Sequence, residues 1–164
     1  MKLASFEAIV AALHDADVRY LDAGGLAVNA HGYLRFTKDV DFVIQLIPAN
    51  ISATFAAFRT LGYKPIIPIT REQFSDAELR NSWIRDKGMK VLQFWSDAHP
   101  ETPIDIFVTE PFDFEGEYQQ ALIKPLGKIT IRFVTIPTLI KMKQEAGRKE
   151  DKIDIEYLQS LLKE

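Results

Sequence analysis

The sequence predicts an α/β (α+β) fold: a mixed β-sheet flanked by helices and completed by further helices at the C-terminus. Short apolar runs typical of strands alternate with helical periodicity over about residues 1–135, whereas about residues 136–164 show helical periodicity alone. The chain has 164 residues, of which 47% are hydrophobic and 26% charged. This composition is typical of one soluble globular domain, and no repeat or linker divides the chain.

Strand-like runs bounded by glycine, proline or polar residues recur along the chain. The expected strands are 18–22, 37–47, 63–69, 89–95, 104–109 and 128–134. Apolar residues at helical spacing occur between and after these runs. The expected helices run from 6 to about 16, from 26 to about 32, from 48 to 61, from 137 to 146 and from about 149 onward. The polar connection 70–88 has room for a short further helix.

Residues typical of helix ends refine these boundaries. Ser5 is the expected N-cap of the first helix. Pro137 suits the first turn of its helix, and Gly147 is expected to end that helix. In the last helix, the expected apolar face comprises Ile153, Tyr157, Leu158, Leu161 and Leu162.

Charge and composition exclude several kinds of protein. The net charge is -3 and the isoelectric point is about 5.7, so no overall basic field attracts nucleic acid or an anionic membrane. The absence of cysteine excludes disulfides, thiolate catalysis and cysteine-bound metals. We see no signal-peptide pattern and no apolar run of membrane-spanning length, so we expect a cytoplasmic protein without a membrane partner.

Three carboxylates interrupt apolar strands. Asp39 and Asp41 are two residues apart, so on a strand their side chains point to the same face. Asp105 interrupts the later run PIDIFV in the same way. Like charges this close repel unless a cation or a proton lies between them, and Mg²⁺ prefers oxygen ligands. If the two strands are neighbours, the three carboxylates form a metal site suited to phosphoryl displacement.

Two glycines lie between the first strand and the short helix. Gly24 and Gly25 let the backbone approach a ligand closely, and N–H groups at the start of a helix favour phosphate. Strand, glycine turn, helix and acidic strand together predict a phosphate cradle that faces a metal site. This combination is more specific than any of its parts.

Each of these residues also has a purely structural interpretation. An Asp-x-Asp pair is often a turn or a helix N-cap, and a Gly-Gly pair is often only a turn. Arg35 and Lys38 flank the acidic strand, where they either contact phosphates or are solvated. His31 either contacts substrate or packs at a helix end, and His99 has no companion histidine for a zinc site.

The stretch AGGLAVNAHGYLRFTKDVDFVI resembles the signature of the nucleotidyltransferase fold, in which a glycine turn precedes an Asp-x-Asp pair and a third aspartate follows on a later strand. Its spelling is most similar to the minimal nucleotidyltransferases and to the abortive-infection toxin nucleotidyltransferases of bacterial toxin–antitoxin systems. The C-terminal stretch LIKMKQEAGRKEDKIDIEYL resembles that group too, whose members carry a lysine and then an aspartate on helices packed against the sheet. Many members have serine as the second turn residue, where this chain has Gly25.

The resemblance implies roles for individual residues. Asp39 and Asp41 would hold the metal ions, and Asp105 would share one of them and activate the acceptor hydroxyl. Gly24 and Gly25 would line the triphosphate of the nucleotide.

The resemblance also assigns residues of the C-terminal helices. Lys143 would reach the phosphates, and Asp151 would orient Lys143 or the base. Arg148 and Asp154 are adjacent alternatives that the sequence leaves open.

The expected activity is transfer of a nucleoside monophosphate from a nucleoside triphosphate to an acceptor hydroxyl, with Mg²⁺, or Mn²⁺ in its place, as cofactor. The acceptor would be a tRNA end, a protein or a small molecule such as an aminoglycoside. One alternative is a nucleotide-binding protein without turnover that binds a partner such as an antitoxin protein, and another is metal-dependent phosphodiester hydrolysis.

Overall fold

The structure is a computed structural model that describes all residues, 1–164. Its centre is a seven-stranded mixed sheet. The strands are β1 (Tyr20–Asp22), β2 (Val40–Ile44), β3 (Lys64–Pro65), β4 (Val91–Trp95), β5 (Ile104–Phe107), β6 (Leu122–Leu126) and β7 (Ile129–Phe133). Their order across the sheet is β3-β4-β5-β2-β1-β7-β6. The predicted mixed sheet with flanking helices is confirmed.

Eight helices flank the sheet. They are α1 (Leu3–Asp15), α2 (Gly25–Ala30), α3 (Pro48–Thr60), α4 (Arg71–Ser75), α5 (Ala77–Lys87), α6 (Phe114–Gln120), α7 (Ile136–Ala146) and α8 (Lys149–Leu162). None of them is long and apolar enough to cross a membrane. Helix α1 packs against α3, and α7 packs against α8.

The central strands set the geometry of the candidate site. β2 pairs antiparallel with β1 on one side and parallel with β5 on the other. Phe42 and Val43 are adjacent in β2 and both fully buried, so helices or loops cover both faces of this strand. Asp41 lies on the same face as Val43 but is only half-buried. The cover on this face is therefore open at the start of β2.

The two edges of the sheet are formed by strands that contain proline. β3 has only two residues, the second of which is Pro65, and β6 contains Pro125 in its exposed central part. β6 pairs only with β7, as an antiparallel hairpin closed at Gly127, which has a φ of +63°. Glycine suits this left-handed position because it has no Cβ.

Several element predictions differ from the structure. Ser5 is not an N-cap: α1 begins two residues earlier, and the buried Ser5 hydroxyl contacts Nδ1 of His99 at 2.8 Å. The predicted strand 63–69 is reduced to β3, and the connection 70–88 contains both α4 and α5. α6 and β6 have no counterpart among the predicted elements.

Candidate active site

Two carboxylates face each other across the central strands. Asp41 of β2 and Asp105 of β5 are register partners in a parallel pair, so their side chains leave the same face of the sheet. Asp39 lies just before β2 and two residues from Asp41. All three carboxylates line one cleft of about 620 Å³. The sequence left open whether the two acidic strands are neighbours, and the structure shows that they are.

The electrostatics of the pair agree with this adjacency. Burial, followed by the charges of Asp105 and Asp39, raises the pKa of Asp41 to about 7. Burial also raises the pKa of Asp105, although hydrogen bonds from Gln93 and with Asp41 oppose the rise. The cluster therefore stores repulsion that a proton or a cation would relieve.

The ligand set of the cleft fits a hard divalent ion. It consists of carboxylate oxygens, which Mg²⁺ prefers, and Mg²⁺ sites typically use one or two carboxylates completed by water and substrate phosphates. No group of three or more carboxylate or histidine side chains has the spacing to hold a metal ion together. Any ion bound here would therefore take most of its ligands from water or substrate rather than from these carboxylates.

The glycine turn packs directly against this cluster. A Cβ on Gly24 would lie 2.0 Å from Oδ2 of Asp41, and one on Gly25 would lie 2.6 Å from Oγ1 of Thr37. Real Cβ atoms do not approach other atoms this closely. Glycine is therefore required here by the close approach of the turn to the acidic strand.

A fourth carboxylate, Asp22, lies beneath the turn and was not predicted as a site residue. It ends β1 and is fully buried, and its Oδ1 accepts a hydrogen bond from the N–H of Gly24 at 3.3 Å. Its Oδ2 has no partner. Burial, followed by the charge of Asp41, raises the pKa of Asp22 well above the ordinary range. A polar residue directly after the apolar Tyr20 and Leu21 was the signal in the sequence.

Gln93 is a second residue of the site that was not expected from the sequence. It lies on β4 as the register partner of Asp105, and its Nε2 donates to Oδ1 of Asp105 at 2.9 Å. One oxygen of Asp105 is thereby held towards β4. The signal was again a polar residue that interrupts an apolar strand, here VLQFW.

Helices α7 and α8 contribute a buried ion-pair network. Lys143 of α7 is 5% exposed, and its Nζ lies 3.3 Å from Oδ1 of Asp151 and 2.9 Å from Oδ2 of Asp154. Both aspartates belong to α8 and are buried. The predicted pairing of Asp151 with Lys143 is present, and Asp154 joins it.

An arginine lies at each end of this network. Arg148 donates to both oxygens of Asp151, through Nε at 2.9 Å and Nη2 at 3.1 Å. Burial opposes ionisation of Asp151, but these hydrogen bonds outweigh it and lower its pKa. Nη2 of Arg35 lies 3.0 Å from Oδ2 of Asp154.

The buried face of α8 differs from the prediction. Ile153 and Leu162 are 58% and 55% exposed, whereas the buried stripe runs from Asp151 and Asp154 to Leu158. The two aspartates occupy helical positions that apolar residues usually fill. They are buried because Lys143 and the arginines neutralise them, which apolar periodicity alone does not reveal.

The cleft is lined by all the residues that were expected to bind metal or nucleotide, but not by the alternative Asp154. Its lining includes Gly24, Gly25, Arg35, Asp39, Asp41, Asp105, Lys143 and Asp151, together with Lys38 and Arg148. His31 is not among them, and its Nε2 contacts the carbonyl oxygen of Val134 at 2.8 Å. Of the two interpretations of His31, packing at a helix end agrees with this position.

Comparison with models of known protein families gives no match, and no curated protein matches the chain. The geometry of the cleft and the resemblance of its motifs are therefore what bears on function.

Proposed function

We propose that the protein is a metal-dependent nucleotidyltransferase that moves a nucleoside monophosphate from a nucleoside triphosphate to an acceptor hydroxyl. The observation that supports this most is the register of Asp41 with Asp105 in a cleft where Gly24 contacts Asp41. This arrangement places a pair of carboxylates beside a backbone turn that has no side chains. Such a surface suits a triphosphate and its counter-ions better than it suits an uncharged substrate.

The three carboxylates would have different roles in binding the metal ions. Asp39 and Asp41 would hold the divalent ions, and Asp105 would share one of them. When bound, Mg²⁺ would neutralise charge on the triphosphate and stabilise the charge that develops during displacement. The backbone of Gly24 and Gly25 would orient the phosphates.

Asp105 would also accept the proton of the acceptor. The acceptor oxygen bonds to the α-phosphorus while the bond from that phosphorus to the bridging oxygen breaks, and pyrophosphate leaves with the electron pair. The proton passes from the acceptor hydroxyl to the carboxylate of Asp105. Asp105 suits this role because it lines the cleft in register with Asp41, within reach of an acceptor bound there.

The test is transfer of an α-³²P-labelled nucleotide in the presence of Mg²⁺. Each of the four nucleoside triphosphates is offered with three acceptor classes: tRNA, protein and aminoglycosides. We expect label on one of these classes, and we expect Asp41→Asn and Asp105→Asn each to reduce transfer by about 10²-fold or more. A matched control is Asp113→Asn, which changes an aspartate that does not line the cleft.

The location of the label separates the proposal from its alternatives. Label released as free monophosphate in wild-type protein indicates hydrolysis with water as the acceptor. Nucleotide that binds in a metal-dependent way but is not turned over indicates the alternative of a nucleotide-binding protein without turnover. Transfer that persists undiminished in both variants rules out the proposed role of the carboxylates.

A further inference from the structure

Three cations and two buried carboxylates form a continuous cluster, and all of them except Asp154 line the cleft. The order is Arg35, Asp154, Lys143, Asp151 and Arg148, and we call this set the C-terminal charge cluster. Of its cations, Lys143 is central and the arginines are terminal. The three cations differ in how many of their N–H donors remain free to bind a ligand.

Lys143 has little capacity left. An ammonium group has three N–H donors and no acceptor. Nζ of Lys143 already lies within ion-pair distance of Asp151 and Asp154, and its side chain is only 6% exposed. The two aspartates engage two of the three donors, and the burial of the side chain leaves a phosphate little access to the third.

Arg148 has donors to spare. A guanidinium carries five N–H donors in a planar fork. Arg148 uses Nε and Nη2 on the two oxygens of Asp151, and its Nη1 has only a 3.8 Å contact with the exposed Glu150. The side chain is 61% exposed, lines the cleft and lies near enough to Asp41 for their charges to interact.

Arg35 is held at the other end of the cluster, against the glycine turn. Its Nη2 pairs with Asp154 and lies 3.4 Å from the place where a Cβ on Gly25 would stand. Its Nη1 donates to the carbonyl oxygen of Phe36 at 3.1 Å. Its Nε is buried and has no hydrogen-bond partner. The guanidinium is thus fixed beside the turn with an unused donor.

We propose that Arg35 and Arg148 form a two-arginine clamp for the triphosphate of the donor nucleotide, and that Lys143 is a buried counter-ion which positions Asp151 and Asp154. The proposal rests on the proposed function for the identity of the donor. It gives to the arginines the phosphate contact that the resemblance gives to Lys143. Arginine suits this role because its planar fork matches phosphate oxygens while one edge stays paired with a carboxylate.

Binding of inorganic tripolyphosphate tests the clamp without an acceptor or a nucleobase. The affinity is measured by isothermal titration calorimetry with Mg²⁺ present, at a temperature where each variant is folded by circular dichroism. We expect Arg35→Gln and Arg148→Gln each to weaken binding by roughly 10- to 100-fold. The control Arg71→Gln, on an arginine outside the cleft, leaves the affinity unchanged.

The lysine variant distinguishes the clamp from the role implied by the resemblance. We expect Lys143→Gln to lower the unfolding temperature but to change the tripolyphosphate affinity by less than about threefold, because the lysine contacts aspartates. The proposal is overturned if Lys143→Gln loses as much affinity as Arg148→Gln, or if both arginine variants bind as wild type does. Should Lys143→Gln not fold, the two arginine variants alone decide.

The outcome for the clamp is independent of the outcome for the activity. Arginine-dependent binding of tripolyphosphate without label transfer to any acceptor supports the clamp and contradicts the proposed function. Label transfer that is unaffected by Arg35→Gln and Arg148→Gln supports the proposed function and contradicts the clamp.

Discussion

Asp41 combines burial, a neighbouring carboxylate and close contact with the glycine turn. It is half-buried, it faces Asp105 across the strand pair, and it touches the glycine turn. Its pKa of about 7 lies well above the ordinary value of 3.8. The folded protein therefore binds a proton at Asp41 over a pH range in which the unfolded chain has released it.

The first prediction concerns the pH dependence of stability without metal. Between pH 4 and 7 the folded state holds more protons at Asp41 than the unfolded state does, so the free energy of unfolding falls as pH rises. Asp22 acts in the same direction because its pKa is also raised. We expect Asp41→Asn to reduce the loss of stability between pH 5 and 8 by on the order of 1 kcal/mol.

Urea unfolding at the two pH values, with a chelator present, measures this effect. Asp97→Asn, a change to an exposed aspartate outside the cleft, is the control and should keep the wild-type pH dependence. A wild-type pH dependence in Asp41→Asn as well would contradict the assigned cause.

The second prediction concerns Gln93, which does not line the cleft but holds Oδ1 of Asp105. Hydrogen bonds to a metal-binding carboxylate fix its orientation, and their loss typically costs 10- to 100-fold in metal affinity. We expect Gln93→Leu to weaken Mn²⁺ binding by about tenfold, measured by electron paramagnetic resonance of the free ion. Gln119→Leu on α6 is the control, and equal affinities for the two variants would exclude a positioning role for Gln93.

At the scale of elements, the turn between β1 and α2 is fixed by contact with β2. The third prediction is that Gly24→Ala disrupts metal and nucleotide binding, because the new Cβ would overlap the carboxylate of Asp41. The control is Gly127→Ala in the β6–β7 hairpin, where a Cβ meets nothing within 4 Å and only the left-handed φ is unfavourable.

Both glycine variants should lose stability, the Gly127 one by about 1 kcal/mol. Only Gly24→Ala should also lose Mn²⁺ binding at a temperature where it is folded. Retained binding in Gly24→Ala would show that the turn and the acidic strand can separate without loss of the site.

Near the C-terminal end of α7 and the N-terminal end of α8, the packing of the two helices depends on charges rather than on apolar contacts. The fourth prediction is that Lys143→Met destabilises the protein by about 3–5 kcal/mol, because it leaves Asp151 and Asp154 buried without their central cation. Lys152→Met, on the exposed side of α8, should change the free energy of unfolding by less than about 0.5 kcal/mol. Urea denaturation at pH 7 compares the two, and similar values would mean that the arginines alone neutralise the aspartates.

For the whole molecule, ligand binding should appear as stabilisation. The fifth prediction is that Mg²⁺ with the correct nucleoside triphosphate at about 100 times its dissociation constant stabilises the protein by about 2.7 kcal/mol, or roughly 5–10 °C in the unfolding temperature. Differential scanning fluorimetry with all four nucleotides measures this shift. Asp105→Asn should abolish it, and a shift of the same size in that variant would place the nucleotide elsewhere.

The local part of this architecture could be predicted from the sequence. β2 and β5 are expected as strands from their apolar runs, and Asp41 and Asp105 stand out because they interrupt these runs, but the pattern leaves open whether the two strands are neighbours. α6 and β6 were missed because FEGEYQQ contains a glycine and few apolar residues, and because β6 is an exposed edge strand with a proline. These segments carry weak local signals.

The non-local part could not be predicted in the same way. The burial of Asp151 and Asp154 depends on Lys143 from another helix, and the role of Gln93 depends on its register with Asp105. Both contacts are set by packing between elements. Polar residues that interrupt apolar patterns point to these positions in the sequence. The pattern does not show which residues they contact.

The prolines at the two edges of the sheet have a consequence for how another protein could associate with this one. Proline cannot donate a backbone hydrogen bond, so Pro65 and Pro125 each remove a donor that an added strand would need. β3 also offers only two residues. Growth of the sheet by strand addition is therefore disfavoured at both ends, and a binding partner would have to recognise side chains on helices and loops instead of open backbone.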